Sequence, residues 1–206
     1  FTILGIHEYL KAFFGDRAAQ NTGGVLADRL QELHRQNRSA DWPWFEPSLT
    51  YNNATLPHAL LLASQWLSRP DLAELALESL AWLTSVQQAS EGHFVPVGTQ
   101  GWYARGGPRA RFDQQPLEAQ ATLSACLEAH RLTGEDRWRR GAERCFEWFL
   151  GRNDLKAPLY DPTIGGCRDG LHPERANQNQ GAESTLSFLL SLLEMRLSET
   201  AFASAR

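Results

Sequence analysis

The sequence predicts an all-α protein: a single domain of helical hairpins, about seven helices in two layers over residues 1–206. Three observations predict it. First, one stretch recurs. Trp44-Phe45-Glu46 is followed after six residues by Asn53-Ala54-Thr55-Leu56, and Arg111-Phe112-Asp113 after six residues by Gln120-Ala121-Thr122-Leu123. A looser copy runs through 176–182 into Glu183-Ser184-Thr185-Leu186. Repeats of this kind mark stacked supersecondary units, each copy here read as the mouth of one hairpin. Second, nearly uncharged apolar helices alternate with amphipathic ones. Third, the loops 37–52, 89–113 and 151–180 each lead into an apolar helix, whereas the returns near residues 15, 69 and 134 are short. Helix connections are usually about 2 to 8 residues, and longer ordered ones tend to carry function.

In chain order, residues 1–14 read as a helix stopped by Gly15, and Asp16 as the N-cap of a helix to residue 36 that Gly23-Gly24 weakens. The helix 53–67 has no Asp, Glu, Lys or Arg, so it is expected to be buried nearly all round. The helix 70–88 carries one stripe (Leu72, Leu75, Ala76, Ser79, Leu83, Val86), with Glu74 and Glu78 off it. The pair repeats as 116–132, apolar and rich in small residues, and 136–150, with Trp138, Ala142, Cys145 and Phe149 inward. A last apolar helix spans 181–197, and a tail from Ser198 is expected to fray. Apolar helices covered on both sides and amphipathic helices covered on one make a two-layer ring or arc of hairpins.

The formal net charge of -4 argues against nucleic acid or an anionic membrane as partner. No signal-peptide pattern opens the chain and no apolar run has transmembrane length. Its start at Phe1, without Met and inside an apolar stretch, reads as a piece of a longer protein. Cys126, Cys145 and Cys167 are odd in number and lack C-x-x-C spacing, which fits a reducing compartment. No metal or cofactor is expected, because zinc-hydrolase, P-loop and dinucleotide motifs are missing. Cys167, Asp169 and His172 cluster, but such a triplet is more often loop structure than a metal site.

The long loops hold the candidate chemistry. Trp42, Trp44, Tyr51, Trp102 and Tyr103 offer flat faces of the kind that suit a sugar ring, against the alternative that they plug the loops onto the helices. Asn52, Gln114, Gln115, Asn177 and Gln180 supply both donors and acceptors for hydroxyl groups. His93, Arg111 and Asp169 join them as binding candidates. Glycoside hydrolysis needs two carboxyl groups, one acid and one base or nucleophile. Asp113 and Glu183 are the candidate pair, with Glu46 in reserve because it shares the slot of Asp113 in the repeat. Carboxylates near helix starts also serve the helix dipole, so the pattern alone leaves both roles open.

A series of motifs in order carries a resemblance over nearly the whole chain. It comprises Asp41-Trp42-Pro43-Trp44-Phe45-Glu46, Tyr51-Asn52-Asn53-Ala54-Thr55-Leu56-Pro57, Gly101-Trp102-Tyr103 and Arg111-Phe112-Asp113-Gln114-Gln115-Pro116. Gly165-Gly166-Cys167-Arg168-Asp169-Gly170 and Asn179-Gln180-Gly181-Ala182-Glu183-Ser184-Thr185 complete it. The set resembles a bacterial helical domain often fused behind group 1 glycosyltransferases. That domain is similar in turn to the six-hairpin (α/α) toroids of inverting glycosidases and sugar 2-epimerases. The resemblance implies a partial toroid, the C-terminal part of a larger one, with a saccharide ligand and a cytoplasmic location. It further implies an attached or associated glycosyltransferase domain as partner. Expected activity is inverting hydrolysis. The alternatives are a non-catalytic glycan- or acceptor-binding module, an epimerase with His93 or His172 as base, and a scaffold.

Overall fold

Local signals in the chain set most helix boundaries in the computed structural model, which describes residues 1–204, with side chains through Thr200. Helix α1 spans Thr2–Ala12. Helix α2 spans Arg17–Asn37, and the Asp16 carboxylate caps it by accepting from the Ala18 and Ala19 N–H groups. Helix α3 is Thr55–Trp66 and α4 is Pro70–Val86, with proline in the first turn, where a missing N–H costs nothing. Helix α5, Pro116–Thr133, starts the same way and stops at Gly134, whose φ of 70° is the left-handed C-cap glycine favours. Helix α6 is Asp136–Phe149 and α7 is Ala182–Ser204. Two short strands, β1 (Ser48–Leu49) and β2 (Tyr103–Ala104), pair antiparallel. Residues 198–204, expected to fray, continue α7; 205–206 lie outside the described residues.

Helices α1, α3, α5 and α7 form one row in which each packs on the next. Helices α2, α4 and α6 each pack against the odd-numbered helix before them, giving the second layer. In α5 nearly every residue from Pro116 to His130 is buried, and in α3 the stretch 59–64 is buried throughout. Row neighbours are also joined by polar bonds. The Gln65 amide donates to Glu128 at 2.7 Å between α3 and α5, and the Ser124 hydroxyl to Glu194 at 2.8 Å between α5 and α7. No helix among the described residues is long and apolar enough to cross a membrane.

Two expectations change. Helix α7 is covered on one side only: Leu186, Leu189, Leu190, Leu193 and Leu197 are exposed, because α7 stands at the end of the row. Nor does the repeated stretch mark equivalent helix starts. Thr55 is the first residue of α3, whereas Thr122 lies two turns into α5 and Thr185 one turn into α7. Proline at 116 starts α5 early, while the polar turn at 51–54 delays α3.

Gly23-Gly24 does not break α2, which runs through both. A Cβ on Gly23 would lie 2.3 Å from the Trp66 ring, whereas one on Gly24 would meet only Leu67 at 3.6 Å. Glycine at 23 therefore lets the indole lie on the helix backbone. Helix propensity favours alanine at either site by about 1 kcal/mol, and forced overpacking costs about 1–3 kcal/mol. Gly23→Ala should lower the melting temperature by several degrees, while Gly24→Ala should leave it unchanged or raise it. Parallel thermal melts check this, and equal shifts in the two variants refute the packing account.

Candidate functional site

The three long loops meet. Strand β1 of the first pairs with β2 of the second, Ser48 opposite Ala104 and Leu49 opposite Tyr103. Gln114, where the second loop enters α5, exchanges backbone hydrogen bonds with Leu171 of the third at 3.0 and 2.9 Å. The Tyr51 hydroxyl of the first loop donates to Glu183 in the first turn of α7 at 3.0 Å. The result is one cross-braced surface at the ends where the chain enters α3, α5 and α7.

Asp154 is its anchor. The side chain is only 2 % exposed and receives four donors. Arg111 approaches with two nitrogens at 2.9 and 2.8 Å, His93 Nε2 lies at 2.8 Å and Gln114 Nε2 at 2.7 Å. Gln114 in turn accepts from the Trp148 indole at 2.9 Å, which ties the hub to α6. Burial raises the Asp154 carboxyl's pKa, but the Arg111, His93 and Gln114 donors outweigh it and hold it at about 2. Sequence reading brought out Arg111, Gln114 and His93 as ligand contacts; the structure spends them on Asp154. Nothing in the local pattern Arg152-Asn153-Asp154 marks that residue.

A second buried carboxylate, Glu118, joins the first loop to α5. It accepts from the backbone N–H of Asn52, from that of Asn53 at 3.3 Å and from the Asn53 amide at 3.0 Å. Burial dominates and pushes its carboxyl up to about 7 against the pull of those three donors. Asn52 has φ 55°, the left-handed region that asparagine tolerates, and its side chain accepts from Thr55 at 2.7 Å. Asn52 is buried, with its backbone N–H spent on Glu118 and its side-chain oxygen on Thr55.

The aromatic candidates divide. Trp42 and Trp44 are 2 % and 0 % exposed, so the expectation that they stack on a ligand is corrected: they belong to the core. Trp42 meets Trp82 and Tyr103 edge to face at 4.7 and 5.1 Å. Trp102, with φ 59°, and Tyr103 are half-buried, and Tyr51 is half exposed. Among polar candidates, Asp169 holds the start of α7 by accepting from the Gly181 N–H at 2.6 Å, the Ser184 hydroxyl at 2.7 Å and the Asn179 amide. Asn177 Oδ1 accepts from the Asn179 N–H within its own turn. Gln180 packs on Gly166, where any Cβ would clash with Oε1, and that oxygen is buried without a donor. Gln115 is the half-buried residue preceding α5.

The three catalytic candidates sit in unlike settings. Glu46 is exposed, and its carboxylate has no hydrogen-bond or ion-pair partner among the described residues. Glu183 is exposed beside Tyr51. Asp113 is partly buried, with His172 Nδ1 at 2.5 Å and the Gln100 amide at 3.2 Å. Asp113 and Glu183 share no partner. Two surface cavities lie elsewhere, one of about 200 Å³ between α4 and α6 and one of about 460 Å³ on α2. Among the described residues no group of three or more His, Cys, Asp or Glu is placed to hold a metal ion. No protein-family model matches the chain, and no curated protein matches it.

The Asp154 hub has a pH signature. A carboxyl depressed from 3.8 to about 2 on folding stabilises the fold above pH 4 and loses that contribution as pH falls through 2. The shift corresponds to about 2 kcal/mol. Asp154→Asn should therefore cost most at neutral pH, and its deficit should shrink by about 2 kcal/mol between pH 5 and pH 2. Denaturant unfolding at several pH values measures the difference, and a pH-independent deficit removes Asp154 as an ionised anchor.

Proposed function

We propose that this chain is a carbohydrate-processing domain of six-hairpin, (α/α)-toroid type, acting on a saccharide by inverting hydrolysis in the cytoplasm. One observation carries the reading: three long loops, which between them carry aromatic and amide side chains, are braced into one surface over the entrances of α3, α5 and α7. Function on such a scaffold belongs where rigid elements hold elaborated loops. Tyr51, Trp102 and Tyr103 remain accessible for a sugar face, and Glu183 and the Asp113–His172 pair supply groups able to exchange protons. The ordered motifs shared with glycosyltransferase-associated helical domains support the same substrate class and an attached or associated transferase as partner.

A second reading, a non-catalytic glycan- or acceptor-binding module, is favoured by the occupation of both Asp113 oxygens by neighbours. The two readings share the surface and part at the product.

Calorimetric titration with a panel of oligosaccharides tests the common part. Saturable binding is expected, with affinity falling about tenfold in Tyr51→Ala and in Trp102→Ala, equivalent to about 1.4 kcal/mol each. Product formation during the titration distinguishes hydrolysis from binding alone. Failure of every oligosaccharide to bind ends the carbohydrate reading.

A further inference from the structure

Asp113 and His172 come from different loops, 59 positions apart in the chain, and meet at 2.5 Å through Oδ1 and Nδ1. The second loop fixes one side: the Asp113 carbonyl accepts from the Thr99 N–H at 3.0 Å, and Oδ2 accepts from Gln100 at 3.2 Å. The third loop fixes the other: the His172 N–H donates to the Arg175 carbonyl at 2.9 Å, and the preceding Leu171 pairs with Gln114 and bridges Ala176. Neither side chain is placed by its own helix, so the pair exists only because the loops interlock.

A carboxylate at Nδ1 makes that nitrogen the donor, which leaves the lone pair of the neutral ring on Nε2. Nε2 has no hydrogen-bond partner among the described residues, and the side chain is 32 % exposed. His93 is the reverse case: its Nε2 is bound to Asp154 and its side chain is 14 % exposed. Asp113 from the second loop is the charged group bonded to the His172 ring, and Glu174 and Arg175, which follow in the same turn, are exposed.

We propose that His172 is the proton acceptor of this site, through Nε2, and that Asp113 is a positioning residue that holds the ring. The assignment rests on the saccharide-processing reading above and changes its chemistry. The oxygen of an attacking water bonds to the anomeric carbon, and its proton passes to His172 Nε2. The bond from that carbon to the departing saccharide's oxygen breaks, and the departing oxygen takes a proton from Glu183. One water is consumed, no electrons are exchanged with a third party, and solvent returns both side chains to their starting state.

The test uses the whole chain with the oligosaccharides that the wild type binds. His172→Gln should reduce turnover by about 100-fold or more, within the range set by loss of a general base, while binding changes less than about threefold. Asp113→Asn should lower turnover and shift the acidic limb of its pH profile. Long-range ¹H–¹⁵N spectra of the wild type should show the Nδ1–H tautomer at His172, and Asp113→Asn should redistribute it. This reading needs no folded variant for the wild-type spectrum. An Nε2–H tautomer in the wild type overturns the assignment, as does turnover surviving His172→Gln. Saccharide binding without turnover overturns it as well, and leaves the binding reading standing. If no oligosaccharide binds, both readings fall.

Discussion

A carboxylate almost removed from water must be paired several times over or not ionise at all, and Asp154 is paired four times. Its donors come from three places in the second loop region, His93, Arg111 and Gln114, while Asp154 itself opens the third loop. Loops of this length would otherwise cost ordering entropy for little return. Withdrawing one charged partner leaves a buried charge uncompensated, which is typically a severe loss, so the hub makes the loop arrangement cooperative. Arg111 is itself largely exposed, so its share of the pairing is softened by solvent. The less exposed donors His93 and Gln114 are then what make the site robust to salt.

Carboxylates in the loop surface thus have two kinds of task. Asp154, Glu118 and Asp169 accept three or four hydrogen bonds each and hold chain segments together. Glu183 and Glu46 are exposed, Asp113 is partly buried, and all three have fewer partners. Proton exchange with a ligand falls more readily to the second group, whose carboxylates hold fewer fixed donors. Glu118 is an intermediate case. Its burial raises the carboxyl toward neutrality, so its two backbone donors are held by a group that is only partly ionised near pH 7.

The helices were legible in the sequence because their signals are local. Asp16, Pro70, Pro116 and Gly134 act within a turn of where they stand, and the contrast between uncharged α3 and amphipathic α6 reports burial directly. The surface was only partly legible. Trp42 and Trp44 carry the composition of a sugar platform, yet a tryptophan in a loop tells nothing about whether the loop folds its ring inward. Asp154 and the contact between Asp113 and His172 are long-range, at separations of 40 and 59 positions, and no periodicity encodes them. Glu118 stands just inside α5, and its burial follows from packing of the first loop on that helix, which no local signal marks.

The repeat itself shows how far a sequence slot constrains chemistry. Glu46 and Asp113 occupy the same position in two copies, yet one carboxylate is free in solvent and the other is bound to an imidazole. The cause lies in where the following helix begins. In the second copy Pro116 starts α5 three residues after Asp113, so the aspartate is pinned close to a helix end and within reach of the third loop. In the first copy α3 does not begin until Thr55, and the intervening residues form β1 and the turn that Glu118 holds. The slack that separates Glu46 from its helix is taken up by those contacts and carries the side chain to the surface. Equal spacing in the chain becomes unequal spacing in the fold, and only the copy with the early proline places its acid beside a histidine.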